Sequence, residues 1–230
     1  MTYTFVLLSG GIGSRMRNSI PKQYMELAGK PMIMHILETV DRIGEIGKII
    51  IVCEEEYREF IDSMTKQCGI STSIEYAKAG NTRQASVLSG LTKVKTENVI
   101  IHEAARPFVT EEDYLRLIRE ECENAMMGIG IPFTVLKGQE QVEGLLTRSE
   151  LVNVQLPQKY NTELLLEAHK KAVLEEKAFT EDASLLYYYR PDVRIRIVKG
   201  QDYNIKVTTQ TDLLIGETLY QGVFGRSRRE

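Results

Sequence analysis

The stretch FVLLSGGIGSRM, residues 5–16, interrupts an apolar run with glycines at 10, 11 and 13 and then places Arg15. Pro21-Lys22-Gln23 follows within a few residues. Glycines let backbone N–H groups close on a ligand, and at a strand-to-helix turn that ligand is most often a phosphate. Arg15 and Lys22 would add a planar fork and a point charge to such a group. Taken alone, the pattern fits equally a turn with two solvated cations. It is not the dinucleotide fingerprint G-x-G-x-x-G, because Met16 stands where the last glycine is required. Nor does any G-x-x-x-x-G-K-[ST] loop occur. The broken fingerprint argues against a nicotinamide-dependent oxidoreductase on a similar sheet.

Three further clusters carry polar groups suited to a nucleotide. GNTRQASV, residues 80–87, is a Gly-Asn turn running into a helix, with Ser86 about one turn in. Asn81 and Ser86 have the donors and acceptors to read a pyrimidine edge, while a plain helix cap is the simpler reading. IHEAARPFV, residues 101–109, leaves the carboxyl end of an apolar strand, the edge where open α/β sheets bind ligands. Glu103 there can reach a ribose hydroxyl or a magnesium-bound water. His102 reads as a packed core histidine rather than a base. In YNIKVTTQTDL, residues 203–213, Lys206 lies in a short apolar strand and is either an edge gatekeeper or a functional cation. Thr209 would cap the last helix.

The elements that must position these groups alternate along the chain. Strands are expected at Tyr3–Leu8, Lys48–Cys53, Ser73–Ala77, Asn98–His102, Gly128–Phe133 and Arg194–Val198. KIIIVC and NVIIH are continuously apolar, as strands covered on both faces are. Helical spacing fills the intervals, and Thr110 with Asp113 resembles a capping box. The alternation predicts an α/β fold with a doubly wound, mostly parallel sheet. Around residues 133–157 the period falters about Gly138 and Gly144, which predicts a β-hairpin arm on a single domain of 1–230. A net charge of −3 argues against a nucleic-acid binder. Three scattered cysteines, and an opening apolar run too short for a leader or a membrane span, point to a soluble cytoplasmic protein.

In their order and spacing, GGIGSRM…PKQY, GNTRQASV, HEAARPF, QLPQKYN, TEDASL and NIKVTTQTDL resemble the polyol-phosphate cytidylyltransferases. These are the 2-C-methyl-D-erythritol 4-phosphate cytidylyltransferases and the related ribitol-5-phosphate cytidylyltransferases. The likeness runs from about Phe5 to about Leu213. It implies a Rossmann-like nucleotidyltransferase that converts CTP and a polyol phosphate to a CDP-polyol and pyrophosphate. Magnesium would assist, and the protein would be a homodimer whose arm reaches the partner's site. Ser9, Gly10, Gly11, Gly13 and Ser14 would line the nucleotide loop, with Arg15 and Lys22 on the triphosphate. Gly80, Asn81 and Ser86 would surround the cytosine. Glu103, Ala104 and Arg106 would border the ribose and the second substrate, Glu103 being also the candidate magnesium ligand. Thr134, Arg148 and Thr180 would meet the polyol phosphate, and Lys206 would stand close to the reacting phosphorus.

The departures from the family pattern fall on the acceptor side. His102-Glu103 replaces His-Asp, Phe133-Thr134 replaces Asp-Thr, and Gln155-Leu156-Pro157-Gln158 replaces Gln-Thr-Pro-Gln. They leave open which polyol phosphate is the acceptor. The alternatives are a nucleotidyltransferase for another base or sugar phosphate, or a nucleotide-binding protein without catalysis.

Overall fold

Phe5 and Leu7 bury against one layer of helices, while Val6 and Leu8 bury against another. Strand β1, Tyr3–Leu8, is therefore apolar on both faces, and no residue in it is exposed. A computed structural model describes residues 2–11 and 20–224. Gly13, Ser14, Arg15 and the basic tail lie outside the described residues. Around β1 stand β2 (Ile46–Cys53), β3 (Ser73–Lys78), β4 (Asn98–Glu103), β5 (Ala125–Gly130), β6 (Val152–Asn161) and β7 (Arg196–Lys199). The sheet order is β7-β5-β6-β4-β1-β2-β3. β6 runs antiparallel to both its neighbours, and every other pairing is parallel.

The α/β reading thus holds. One layer contains α1 (Met32–Asp41), α2 (Arg58–Gln67) and α4 (Glu111–Arg119). The other contains α3 (Arg83–Leu91), α5 (Thr162–Leu174) and α6 (Asp182–Tyr189). α7 (Gln210–Val223) packs against Leu27 and Phe108, and its N-terminus carries a capping box of Thr209 and Asp212. The box of Thr110 and Asp113 likewise opens α4.

Three strand expectations are corrected. β5 starts at Ala125 and stops at Gly130, because Pro132 has no N–H with which to extend the ladder. Residues 152–157 belong to β6, inside the central sheet, and the small hairpin pairs only Leu136–Lys137 with Gly144–Leu145. Buried polar side chains in β6, among them Gln155, Gln158 and Lys159, hide a central strand from an apolar pattern. Their hydrogen bonds to backbone carbonyls make that burial tolerable. Lys206 is in no strand: its segment is tied to the core by Val207 N–H donating to the Ala105 carbonyl at 2.8 Å.

β1 is where the winding reverses. β2 and β3 lie on one side of it and β4 on the other, so the loops leaving β1 and β4 frame a crevice at the carboxyl edge. Leu8 is in register with Glu103, and Ala104 N–H donates to the Leu8 carbonyl at 2.9 Å. Gly10 is needed for close approach, since a Cβ there would stand 2.3 Å from Ala79 Cβ, while one at Gly11 meets nothing within 4 Å among the described residues. Gly10→Ala should therefore cost about 1–3 kcal/mol in urea denaturation. Gly11→Ala should stay within about 0.5 kcal/mol of the parent. Equal losses would place the constraint in backbone conformation instead.

Candidate active site

The crevice is a cavity of about 310 Å³. Ser9, Gly10, Gly11, Lys22, Gly80, Asn81, Ser86, Glu103 and Lys206 all line it. Residues spread over nearly two hundred positions are thus gathered at one edge. The rim is held from below. Gln23 Nε2 donates to the carbonyls of Ser9 at 2.6 Å and Gly11 at 3.0 Å, and Ser9 Oγ donates to Tyr24 Oη at 3.0 Å. Gln23 and Tyr24 are buried, so the loop's exit from β1 is fixed by the same short turn that presents Lys22.

The Gly80-Asn81 turn is built with similar economy. Thr82 caps α3 by accepting from Ala85 N–H. Ser86 Oγ accepts from Gly80 N–H at 3.0 Å, so the hydroxyl expected at cytosine also staples the turn from within. A Cβ on Gly80 would come within 2.8 Å of the Ala85 carbonyl carbon, which only glycine avoids. Asn81 remains exposed at the mouth.

Electrostatics concentrate on Glu103. Its side chain is only 9% exposed. Arg83 Nε lies 2.8 Å from Oε1, and Lys206 Nζ lies 2.5 Å from Oε2. Burial alone would raise this carboxyl, but Lys206 and Arg83 outweigh it and hold the pKa at about 2. Arg83 is itself spanned by Asp182 and Glu181, with Nη2 at 2.7 Å and 3.3 Å from their oxygens. Burial works against its charge, yet Asp182, Glu181 and Glu103 keep it firmly protonated.

Not every expected residue lines the cavity. Ala104 is buried beneath it, and Ala105 forms the wall. Arg106 turns away, donating from Nη1 to the Asn204 carbonyl at 2.9 Å, which anchors the segment bearing Lys206. His102 is a core residue, with Nε2 3.0 Å from the Arg106 carbonyl and its pKa lowered by burial to about 4. Thr180 is exposed and sits just before Glu181. Thr134 and Arg148 lie on the arm side, where Arg148 donates to the Pro132 carbonyl at 3.1 Å and lines a separate shallow cavity.

Arg83, Gln23, Thr82 and Glu54 also line the cavity, and the sequence reading assigned none of them. Arg83 had a legible signal. A cation in the first turn of a helix opposes the helix dipole, so it calls for carboxylates brought to it by the fold. The donor set suits a magnesium ion that enters on a triphosphate. No cluster of three or more metal-binding side chains occurs among the described residues, and Glu103 alone brings a buried carboxylate to the cavity.

Comparisons with known proteins agree with this fold. The sequence profile of the family described as IspD, 2-C-methyl-D-erythritol 4-phosphate cytidylyltransferase, matches residues 4–221. The enzyme of that name from Bacillus velezensis is 35% identical over 98% of both chains. The one from Halalkalibacterium halodurans is 33% identical over 95% of this chain and 97% of its own. Among solved structures, 4-diphosphocytidyl-2C-methyl-D-erythritol synthase from Anaerococcus prevotii superposes with a TM-score of 0.85 at 26% identity, covering 96% of each chain. A match across nearly the whole chain, on a fold and cavity of this form, makes the protein a member of the IspD family of cytidylyltransferases.

Proposed function

We propose that this chain transfers the cytidylyl group of CTP to 2-C-methyl-D-erythritol 4-phosphate, and that Glu103, Arg83 and Lys206 form the charged floor of the reaction site. The observation that carries this reading is the placement of Lys206 and Lys22 in one cavity with the Gly10-Gly11 and Gly80-Asn81 turns. An oxygen of the acceptor phosphate attacks the α-phosphorus of CTP. The bond from that phosphorus to the β-bridging oxygen breaks, and pyrophosphate leaves with the electron pair. The attacking phosphate is a dianion above its second pKa of about 6, so no general base is required. The obstacle is repulsion between two anions, and catalysis consists of positioning and charge neutralisation.

Within this reading the loop after β1 and Lys22 receive the triphosphate, together with Arg15. Asn81 and the Gly80 backbone meet the base. Lys206 stands where the two phosphates approach. Glu103 would be the side chain placed to meet a magnesium ion entering with the triphosphate, which would supply further charge neutralisation. Arg148 and Thr134 stand apart from the cavity of their own chain. Exposed Phe133, Leu136, Val142 and Leu145 on the same arm support a homodimer in which the arm serves the partner's site. Cys53, Cys68 and Cys122 are free thiols, which supports a cytoplasmic setting. Ribitol 5-phosphate is the second acceptor to test, because Phe133 replaces the acidic residue that precedes Thr134 in the family pattern.

The deciding experiment is pyrophosphate release from CTP with each acceptor in turn. Methylerythritol phosphate should be turned over in magnesium and not in EDTA, and ATP should fail as donor. Ribitol phosphate as the sole acceptor would overturn the acceptor assignment. Lys206→Ala should lower kcat by about 10²–10³ with an unchanged melting temperature, as expected for loss of a cation acting in the transition state. Normal turnover would reduce Lys206 to an ion-pair partner of Glu103. With Glu103 held ionised and His102 held neutral, kcat/KM for the acceptor should fall on the acid side about pH 6, with the acceptor's own ionisation. A midpoint well above that would reveal a titrating enzyme base.

A further inference from the structure

Arg83 is the first residue of α3, the end at which a helix dipole disfavours a cation. It is held there by Glu103 on one side and by Asp182 and Glu181 on the other. Asp182 is 1% exposed, and its second oxygen stands 3.0 Å from Nε2 of the fully buried His169. Glu103 is shared at its second oxygen with Lys206, whose side chain is 39% exposed in the cavity. The groups form one continuous line, His169–Asp182–Arg83–Glu103–Lys206. It is anchored in the core at one end and open to substrate at the other.

We infer that Arg83 is a positioning residue whose grip on Glu103 lets Lys206 transfer from that carboxylate to a substrate phosphate. The argument is one of charge compensation. Glu103 is 7% exposed, and a buried carboxylate without a cation is strongly unfavourable. With Arg83 in place, Glu103 keeps a charge-assisted hydrogen bond when Lys206 departs. Without Arg83, Lys206 is the one cation the described residues place on that carboxylate, and each departure strands a buried charge. Arg83 touches no reacting atom in this account, since it acts through Glu103 on Lys206. Two independent observations support the direction. Lys206 is the exposed end of the line and Arg83 the sheltered one, so the ammonium is the member free to move. Asp182 and Glu181 fix Arg83 from behind, so it cannot follow.

The inference rests on Lys206 meeting a phosphate, as proposed above, and a double-mutant cycle separates the two. Arg83→Met, Lys206→Ala and the double variant are assayed by pyrophosphate release with CTP, magnesium and methylerythritol phosphate, alongside thermal melts and CTP titration. Arg83→Met should lower kcat at least about tenfold in the parent, with CTP affinity within about twofold. In the Lys206→Ala background the same substitution should change kcat by no more than about twofold, because the group it acts through is gone. Equal factors in both backgrounds would overturn the inference and make Arg83 a structural residue. A parent that turns over none of the acceptors would instead sink the proposed function. If Arg83→Met loses its cooperative melt, Arg83→Lys replaces it. A lysine keeps the charge but cannot bridge Glu103 and Asp182 in two directions, so its smaller loss should again vanish without Lys206.

Discussion

A carboxylate buried at the end of a central strand has to be met by cations, and much of the site follows from how Glu103 is met. β4 delivers the residue to the carboxyl edge of the sheet, where its side chain is nearly closed off from solvent. Arg83 comes from the first turn of α3, and Lys206 from the segment that precedes α7. Removing Arg83, the sheltered partner, would leave a charge only partly compensated in a site of low dielectric. That situation is typically worth several kcal/mol. The position of the Gly80 turn, the start of α6 at Glu181-Asp182 and the path of residues 203–208 are linked through this one carboxylate.

The segment bearing Lys206 shows how a cation lining the cavity can be held accurately without regular structure. It forms no strand, yet side chains from several elements converge on it. Gln155 in β6 donates to the Gln201 carbonyl at 2.9 Å and accepts from Gln201 N–H at 3.1 Å. Asn204 donates back to the Leu156 carbonyl at 2.7 Å, and Arg106 holds the Asn204 carbonyl from the other side. The Gln-Leu-Pro-Gln and Ala-Ala-Arg-Pro motifs therefore act on Lys206 through the backbone. Leu156 itself is packed in the apolar core, so its substitution for threonine changes packing rather than removing a hydroxyl from the cavity.

This distribution explains what the sequence disclosed and what it concealed. β1, β2 and β4 were legible because a strand buried on both faces needs an unbroken apolar run. The turn after β1 was legible because paired glycines break an apolar strand, and Gly10 meets Ala79 too closely to carry a side chain. β6 was not, since Gln155, Gln158 and Lys159 are buried polar residues, and Gln155 and Lys159 find their partners in distant parts of the chain. Ser86 was legible as a polar group beside a turn but not as the staple of that turn, because the bond requires the fold of 80–86 to be known. Arg83 carries a signal in kind, a cation in the first turn of a helix, but not in partner. Its three carboxylates lie 20, 98 and 99 positions away, and no local pattern connects them.

The acceptor side obeys a different constraint. A phosphate dianion approaching a triphosphate gains little from cations placed only behind the triphosphate, because it is the approach itself that is repelled. Lys206 lines the first cavity, but the second cation that the family resemblance implies, Arg148, stands with Pro132 and Gly130 at another. The small hairpin next to it exposes Leu136 and Leu145, side chains that a monomer would leave in water. These two facts are economically met together if the arm packs on a second copy. The apolar tip would be covered, and Arg148 would be carried toward the partner's cavity. Each active site would then be completed only on assembly. Two anions would be gathered in one cleft by cations from two chains, without either chain having to bury the full set of positive charges by itself.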